Sequence, residues 1–270
     1  MSRISLKFSE LSSKNEGALI TYMMAGYPTE KDSLSILRGM IKGGADIIEL
    51  GFPFSDPLAD GPVIQNAATV SLQGGAKVSR FFSLVKKIRK ETELPLVLMT
   101  YSNILYHTGY ERFIHDAVKA GIDGFILPDM SIEESDRYMD AAKAQKADTI
   151  FLASPNTTKN RLQKIAEKSS GFLYLVAVYG ITGAKTQVQE YTIKALKNTK
   201  KIAGGKVPVG IGFGVSTPAD VRRFITAGAD AVIAGSVFLR LIEDTPAKKL
   251  YSTISAFTKT LKRQTVRIKE

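Results

Sequence analysis

The chain of 270 residues contains no cysteine, so disulfides and thiolate metal sites are excluded. That suits a reducing compartment. It holds only two histidines, His107 and His115, too few for a histidine-rich metal site, and no metal is expected. No apolar run approaches the roughly 18 residues of a membrane span. The N-terminus, Met1 to Glu10, alternates apolar and polar residues and lacks the apolar core of a signal peptide. These absences read together as a cytoplasmic chain. The charge is one-sided, with a net charge of +11. The lysines and arginines are scattered rather than clustered with aromatics, and no nucleic-acid reading motif is present. A basic surface that attracts anionic substrates or an acidic partner fits better than nucleic-acid binding. The densest basic stretch, Lys259 to Lys269, reads as the polar face of a last helix.

What is present is a regular alternation. Apolar, β-branched runs occur at Leu19–Met24, Ala45–Gly51, Pro95–Thr100, Asp123–Pro128, Asp148–Ala153, Phe172–Val178, Val207–Gly212 and Asp230–Gly235. Nearly continuous apolar runs suit strands buried on both faces of a parallel sheet. Between them lie stretches of helical period, such as Glu111–Ala120 and Pro218–Ala227. The turns Gly43-Gly-Ala-Asp46, Ala120-Gly-Ile-Asp123 and Ala227-Gly-Ala-Asp230 each place a glycine where a helix needs a left-handed C-cap before a strand. Thr217-Pro218 supplies a cap and a first-turn proline. Eight such βα units predict an α/β fold, a single-domain (β/α)8 TIM barrel spanning 1–270, with an extra N-terminal helix over Ser2–Ser13 covering its floor. A doubly wound open sheet is the alternative.

Barrel chemistry lies where the strands end. Glycine-rich loops follow the sixth, seventh and eighth runs: Gly180-Ile-Thr-Gly183, Ile211 to Ser216, and Ala234-Gly-Ser236. Glycines admit an anion to the backbone, and helix N-termini direct N–H groups at it. The last two loops are the recurrent phosphate position of such barrels; glycines can also serve only tight turns, but two adjacent loops at strand ends favour phosphate. Two carboxylates stand out. Glu49 shares one strand face with Ile47 and Gly51. Burial there would raise its pKa toward general acid–base work, although a structural glutamate paired with a cation fits the same spacing. Asp60 closes the proline-rich loop Phe52 to Pro62, where Asp-Gly-Pro is also an ordinary helix start. Asp56 and Asp129 are lesser candidates.

The segment Ile48-Glu-Leu-Gly-Phe-Pro-Phe-Ser-Asp-Pro-Leu-Ala-Asp-Gly-Pro-Val-Ile-Gln65 resembles the defining motif of the tryptophan synthase α-subunit family. Ala25-Gly-Tyr-Pro28, Met99-Thr-Tyr-Ser-Asn103, Leu127-Pro-Asp129, Gly180 to Gly183, Gly212-Phe-Gly214 and Gly235-Ser236 follow in family order. The lack of tryptophan is compatible with that pathway.

The resemblance implies a lyase of tryptophan biosynthesis. It would split indole-3-glycerol phosphate into indole and glyceraldehyde 3-phosphate by a retro-aldol reaction. It implies Glu49 as proton donor and acceptor and Asp60 as the partner of the indole N–H. Tyr22, Ile64, Leu98, Thr100, Leu127 and Tyr174 would wall the indole side. Gly183, Phe213, Gly214, Gly235 and Ser236 would hold the phosphate. Thr182 would reach Asp60 when a lid of about 180–189 closes. Pro53, Phe54, Ser55 and Asp56 would face a partner. No cofactor is implied in this chain. The partner would be a β subunit carrying pyridoxal phosphate, in an α2β2 heterotetramer. Two departures are visible. Ala177-Val-Tyr179 stands where many members carry a serine and a polar or basic residue, and Tyr22 stands where phenylalanine is frequent. They bear on loop closure and the pocket rim. A non-catalytic activating subunit and a free-standing indole lyase are the alternatives. A phosphosugar isomerase on the same barrel is disfavoured by Pro53 to Asp56.

Overall fold

The computed structural model describes residues 1–176, 185–212 and 214–267. The apolar runs form β1 (Ala18–Met24), β2 (Ile47–Gly51), β3 (Leu96–Met99), β4 (Gly124–Ile126), β5 (Asp148–Ile150), β6 (Leu152–Ala153), β7 (Leu173–Val176), β8 (Val209–Gly212) and β9 (Ala231–Ala234). All pairings are parallel, in the order β5-β4-β3-β2-β1-β9-β8-β7-β6. The expected fifth strand is divided at Phe151. β5 pairs with β4, while β6 pairs with β7. Across the break the Tyr174 N–H donates to the Phe151 carbonyl at 3.0 Å. β5 and β6 are therefore halves of one stave, and the barrel closes through it.

The helices are α1 (Arg3–Ser13), α2 (Glu30–Gly43), α3 (Pro62–Gln73), α4 (Val78–Arg89), α5 (Ser102–Thr108), α6 (Tyr110–Ala120), α7 (Asp136–Ala144), α8 (Lys159–Lys168), α9 (Lys185–Ala203), α10 (Pro218–Thr226), α11 (Ser236–Glu243) and α12 (Leu250–Lys262). Two helices rather than one follow each of β2, β3 and β9. The expected N-terminal helix is α1. Ser2 caps it by accepting the Ser5 N–H at 3.1 Å and ties it to the barrel by donating to Asp148. Ile4, Phe8 and Leu11 of α1 pack into the barrel interior with Ile20, Ile47, Val97, Ile126, Ile150 and Phe172. Each buried side chain of that size contributes about 1.5–3 kcal/mol, enough to hold a short amphipathic helix across the floor. The remaining core lies outside the staves, beneath the ring of helices.

The three glycine turns build one repeated device at the floor. Gly44, Gly121 and Gly228 have φ of 94°, 122° and 100°, a conformation that glycine reaches without strain. The aspartate two residues on then makes a reciprocal pair of bonds with the preceding stave. The Leu19 N–H donates to Asp46 at 2.8 Å, and the Asp46 N–H returns to the Leu19 carbonyl at 2.9 Å. Asp123 does the same with Leu96, and Asp230 with Val209. Each carboxylate also meets a cation: Lys262 for Asp46, Arg89 and Arg3 for Asp123, and Lys200 and Arg267 for Asp230.

Candidate active site

At the opposite end the alternation of β2 turns Ile47, Glu49 and Gly51 inward. Glu49 is 1% exposed, and its Oε2 has no hydrogen-bond partner among the described residues. Removal from water, and then the charge of Asp60, pushes its pKa up to about 8. Asp60 ends the loop that leaves β2, with Gly61 and Pro62 opening α3 behind it. Its Oδ2 accepts the Tyr101 hydroxyl at 3.0 Å, while its Oδ1 is buried and unpartnered. Burial raises its pKa to about 6, with the Tyr101 bond opposing the rise. At neutral pH one carboxyl thus keeps its proton while the other is ionised, a separation that assigns acid and anion to different residues.

Tyr101 went unnoticed in the sequence. It accepts the Ala59 N–H at 3.0 Å and stacks on Phe54 with ring centroids 5.2 Å apart. It therefore fixes the loop and the orientation of Asp60 together. No spacing signals this, because the contact joins the end of one stave to the loop of another.

Glu49 lines a cavity of about 340 Å³ with Tyr22, Ile64, Met99, Tyr174 and Ile233. A second cavity of about 340 Å³ contains Asp60 and shares Met99 and Tyr174 as its wall. Tyr22, Ile64 and Tyr174 are thus gathered around Glu49. Leu98 and Leu127 are not: both face outward into the core beneath the helices. Their inward neighbours, Met99 and Ile126, line the cavities instead. The cause is the two-residue period of a strand, in which a shift of one position exchanges faces. Thr100 is buried, and its hydroxyl donates to the Phe52 carbonyl at 3.3 Å, bracing the β2 loop rather than lining either cavity.

The expected anion end lies on the same cavity. Gly214, Val215, Ser216, Gly235, Ser236 and Arg240 line the Glu49 cavity. The N-terminus of α10 is closed by its own capping box. Thr217 and Asp220 satisfy each other's backbone, and Asp220 also accepts the Ser216 N–H at 3.1 Å. α11 has no side-chain cap: Gly235 stands at its N-cap and Ser236 begins it. Its free N–H groups and positive dipole end face the cavity, with Arg240 about one turn along. The described part of the loop after β8 and the start of α11 line the cavity together.

Thr182, Gly183 and Phe213, and the stretch Ala177-Val-Tyr179, lie outside the described residues. Of the loop expected over about 180–189, residues 180–184 lie outside the described residues, and Lys185 opens α9. Of the expected partner-facing residues, Ser55 and Asp56 are exposed, Phe54 is half-buried and Pro53 is buried. Leu58, two residues beyond Asp56, is 92% exposed and was not anticipated. Asp129 is a cap: it accepts the Ser102 N–H at 2.9 Å and the Ser102 hydroxyl at 2.6 Å at the start of α5. Among the described residues no acidic, histidine or cysteine side chains gather as metal ligands, and no helix is long and apolar enough to cross a membrane.

A parallel barrel whose mouth sets a protonated buried acid and an ionised carboxylate beside an open helix N-terminus defines an acid–base enzyme for an anion-bearing substrate. Comparison gives the particular family. Residues 8–266 match the family Tryptophan synthase alpha chain. The tryptophan synthase alpha chain of Methanosarcina barkeri is 45% identical over 260 residues, covering 96% of each chain. The structure is also similar to tryptophan synthase from M. tuberculosis in an aminoacrylate-bound form, with TM-score 0.87, 30% identity, and 99% of this chain and 100% of that one covered. The tryptophan synthase complex from Pyrococcus furiosus gives TM-score 0.83 and 32% identity, over 92% of this chain and 98% of that one. The chain belongs to the tryptophan synthase alpha chain family.

Proposed function

We propose that this chain cleaves indole-3-glycerol phosphate to indole and glyceraldehyde 3-phosphate, with Glu49 and Asp60 as its working pair. The observation that carries the reading is that each of these carboxyl groups holds one buried oxygen at the same mouth with no partner among the described residues. Buried polar atoms are ordinarily satisfied, so two left open beside a cavity point to a ligand that completes them. Glu49, protonated at neutral pH, donates its proton to the indole carbon that bears the side chain. Asp60 balances the positive charge that then develops at the ring nitrogen. The resulting Glu49 carboxylate takes the proton of the adjacent carbinol. The carbonyl forms, the carbon–carbon bond breaks and its electron pair restores the ring, leaving Glu49 protonated again.

Tyr22, Ile64, Met99, Ile126 and Tyr174 are assigned to the walls of the indole side. The phosphate is assigned to Gly214, Gly235, Ser236 and the α11 terminus, with Gly183 and Phe213 as further family positions. The chemistry is proton transfer and charge stabilisation, so no cofactor is assigned to this chain. Its partner is the tryptophan synthase β subunit, to which pyridoxal phosphate is assigned, in an α2β2 assembly in the cytoplasm. The exposed Ser55, Asp56 and Leu58 support docking through the β2 loop. Because Phe54 and Tyr101 tie that loop to Asp60, a partner pressing on it sets the position of Asp60.

The test is release of indole from indole-3-glycerol phosphate, with and without a β subunit. Slow release alone and faster release with the β subunit are expected. No release in either case would remove the lyase reading, while a rate indifferent to the β subunit would make the chain free-standing.

A further inference from the structure

Two hydroxyls beside the reacting pair, those of Tyr22 and Tyr174, have no role in this scheme beyond filling space. Tyr22 on β1 is the register partner of Glu49 on β2, so the two side chains enter the barrel at the same level. The phenol is the longer, and its oxygen reaches Gly51, the next inward-facing position of β2 toward the mouth. A methyl group on Gly51 would sit 2.3 Å from that oxygen. Tyr174 is built in the same way, with its oxygen 2.2 Å from where a methyl on Gly212 would be. In both cases a glycine on the neighbouring strand makes the room that the ring end occupies. Tyr22 is 3% exposed and lines the cavity that contains Glu49. Its hydroxyl lies one inward step above the carboxyl, where a substrate seated on Glu49 must pass.

Packing alone does not call for that oxygen. A phenylalanine ring would fill the same wall, and a buried hydroxyl is costly unless a partner completes it. Burial, and then the charges of Asp60 and Glu49, push the phenol well above its ordinary range, so it keeps its proton and has an O–H to donate.

Resting on the lyase reading, we propose that Tyr22 contacts the substrate and donates a hydrogen bond to its carbinol oxygen, the oxygen whose proton Glu49 removes. That oxygen must touch Glu49 to surrender its proton, and the Tyr22 hydroxyl is the donor placed on its mouthward side. As the O–H bond breaks, its electron pair becomes the second bond of the new carbonyl, and the pair of the cleaved carbon–carbon bond returns to the indole ring. Until the carbonyl is complete the oxygen carries extra negative charge. The Tyr22 donor is aimed at that charge and gives up no proton.

The experiment is Tyr22→Phe, which removes one oxygen and leaves the ring. Turnover should fall about tenfold or more, below the 10²–10³ typical of a full oxyanion donor. Affinity for 3-indolylpropyl phosphate, which lacks the carbinol oxygen, should be unchanged, and so should the melting temperature. An unchanged kcat would overturn the proposal. So would a loss of analogue affinity parallel to the loss of kcat, because it would mark Tyr22 as packing. Glu49→Gln serves as the control. If that variant is inactive while Tyr22→Phe matches the native rate, only this assignment fails; if Glu49→Gln retains activity, the site reading fails with it.

Discussion

The two ends of the barrel treat buried carboxylates in opposite ways. At the floor, Asp46, Asp123 and Asp230 each accept a backbone N–H and face at least one lysine or arginine. At the mouth, among the described residues, Arg240 is the one cation lining the Glu49 cavity and forms no ion pair with Glu49, and the Asp60 carboxylate accepts only the Tyr101 hydroxyl. A charge whose partners are in place stabilises the native state and does little else. A carboxyl left incomplete costs stability and remains available to a ligand. The contrast separates residues that hold the barrel from residues that use it.

The sharpest way to break this contrast is at Glu49. Glu49→Gln should keep the fold and lose about 10³–10⁴-fold in indole release, because an amide transfers no proton. Native rates in that variant would end the assignment. Asp60→Asn should cost about 10²–10³-fold in kcat with substrate affinity less affected, read from steady-state kinetics. At the floor the outcome should invert. Asp123→Ala takes the counter-charge from Arg89, which keeps only carbonyl acceptors, and leaves the Leu96 N–H without an acceptor, which should cost about 3 kcal/mol in a denaturant titration. The folded fraction should turn over normally. A loss of kcat with stability intact would erase the distinction between the two ends.

The pH dependence sharpens it further. Asp60 must be ionised, above about 6, and Glu49 protonated, below about 8. A plot of kcat/KM should therefore be bell-shaped, falling about tenfold per pH unit on either side. Stability should follow Glu49 separately. Its folded pKa, about 8, lies above the ordinary 4.5, so the native state holds a proton that the unfolded chain has released. Stability should drain away as pH rises through that window and level off beyond it. Glu49→Gln should remove this slope, making the inactive variant the more stable protein at alkaline pH. The smallest effect is expected at the surface, where Arg38→Ala breaks a fork to Glu91 that water already screens. Its melting temperature should not move measurably.

Most of the framework was legible in the chain. Apolar runs, glycine caps and the Thr217-Pro218 start are local signals, and all eight staves and the floor helix follow from them. Glu49 was legible because alternation alone turns it inward. The pocket walls were less so. Pro95–Thr100 and Asp123–Pro128 are apolar almost throughout, as strands buried on both faces must be, so the phase of each strand is not written in its residues. Met99 and Ile126 were displaced by their neighbours Leu98 and Leu127 for that reason. The capping box at Thr217 and Asp220 was only half read: the Thr217 cap was seen, but not the reciprocal Asp220. The break at Phe151 has no local cause in proline or glycine and appears only when β4 and β7 are both in place.

The floor aspartates also divide the molecule as a mechanism would. Each ties a strand to the one before it with two opposed bonds, joining β1 to β2, β3 to β4 and β8 to β9 into rigid panels. The interrupted stave is latched by a serine instead, the Thr149 N–H donating to the Ser170 hydroxyl and the Ser170 N–H returning to the Thr149 carbonyl, both at 2.8 Å, while among the described residues the seams between β2 and β3, β4 and β5, β7 and β8, and β9 and β1 show no such aspartate. A cylinder made of stiff panels and plain seams flexes at its seams. Amides at the latched positions Leu19, Leu96 and Val209 should be among the last to exchange with deuterium.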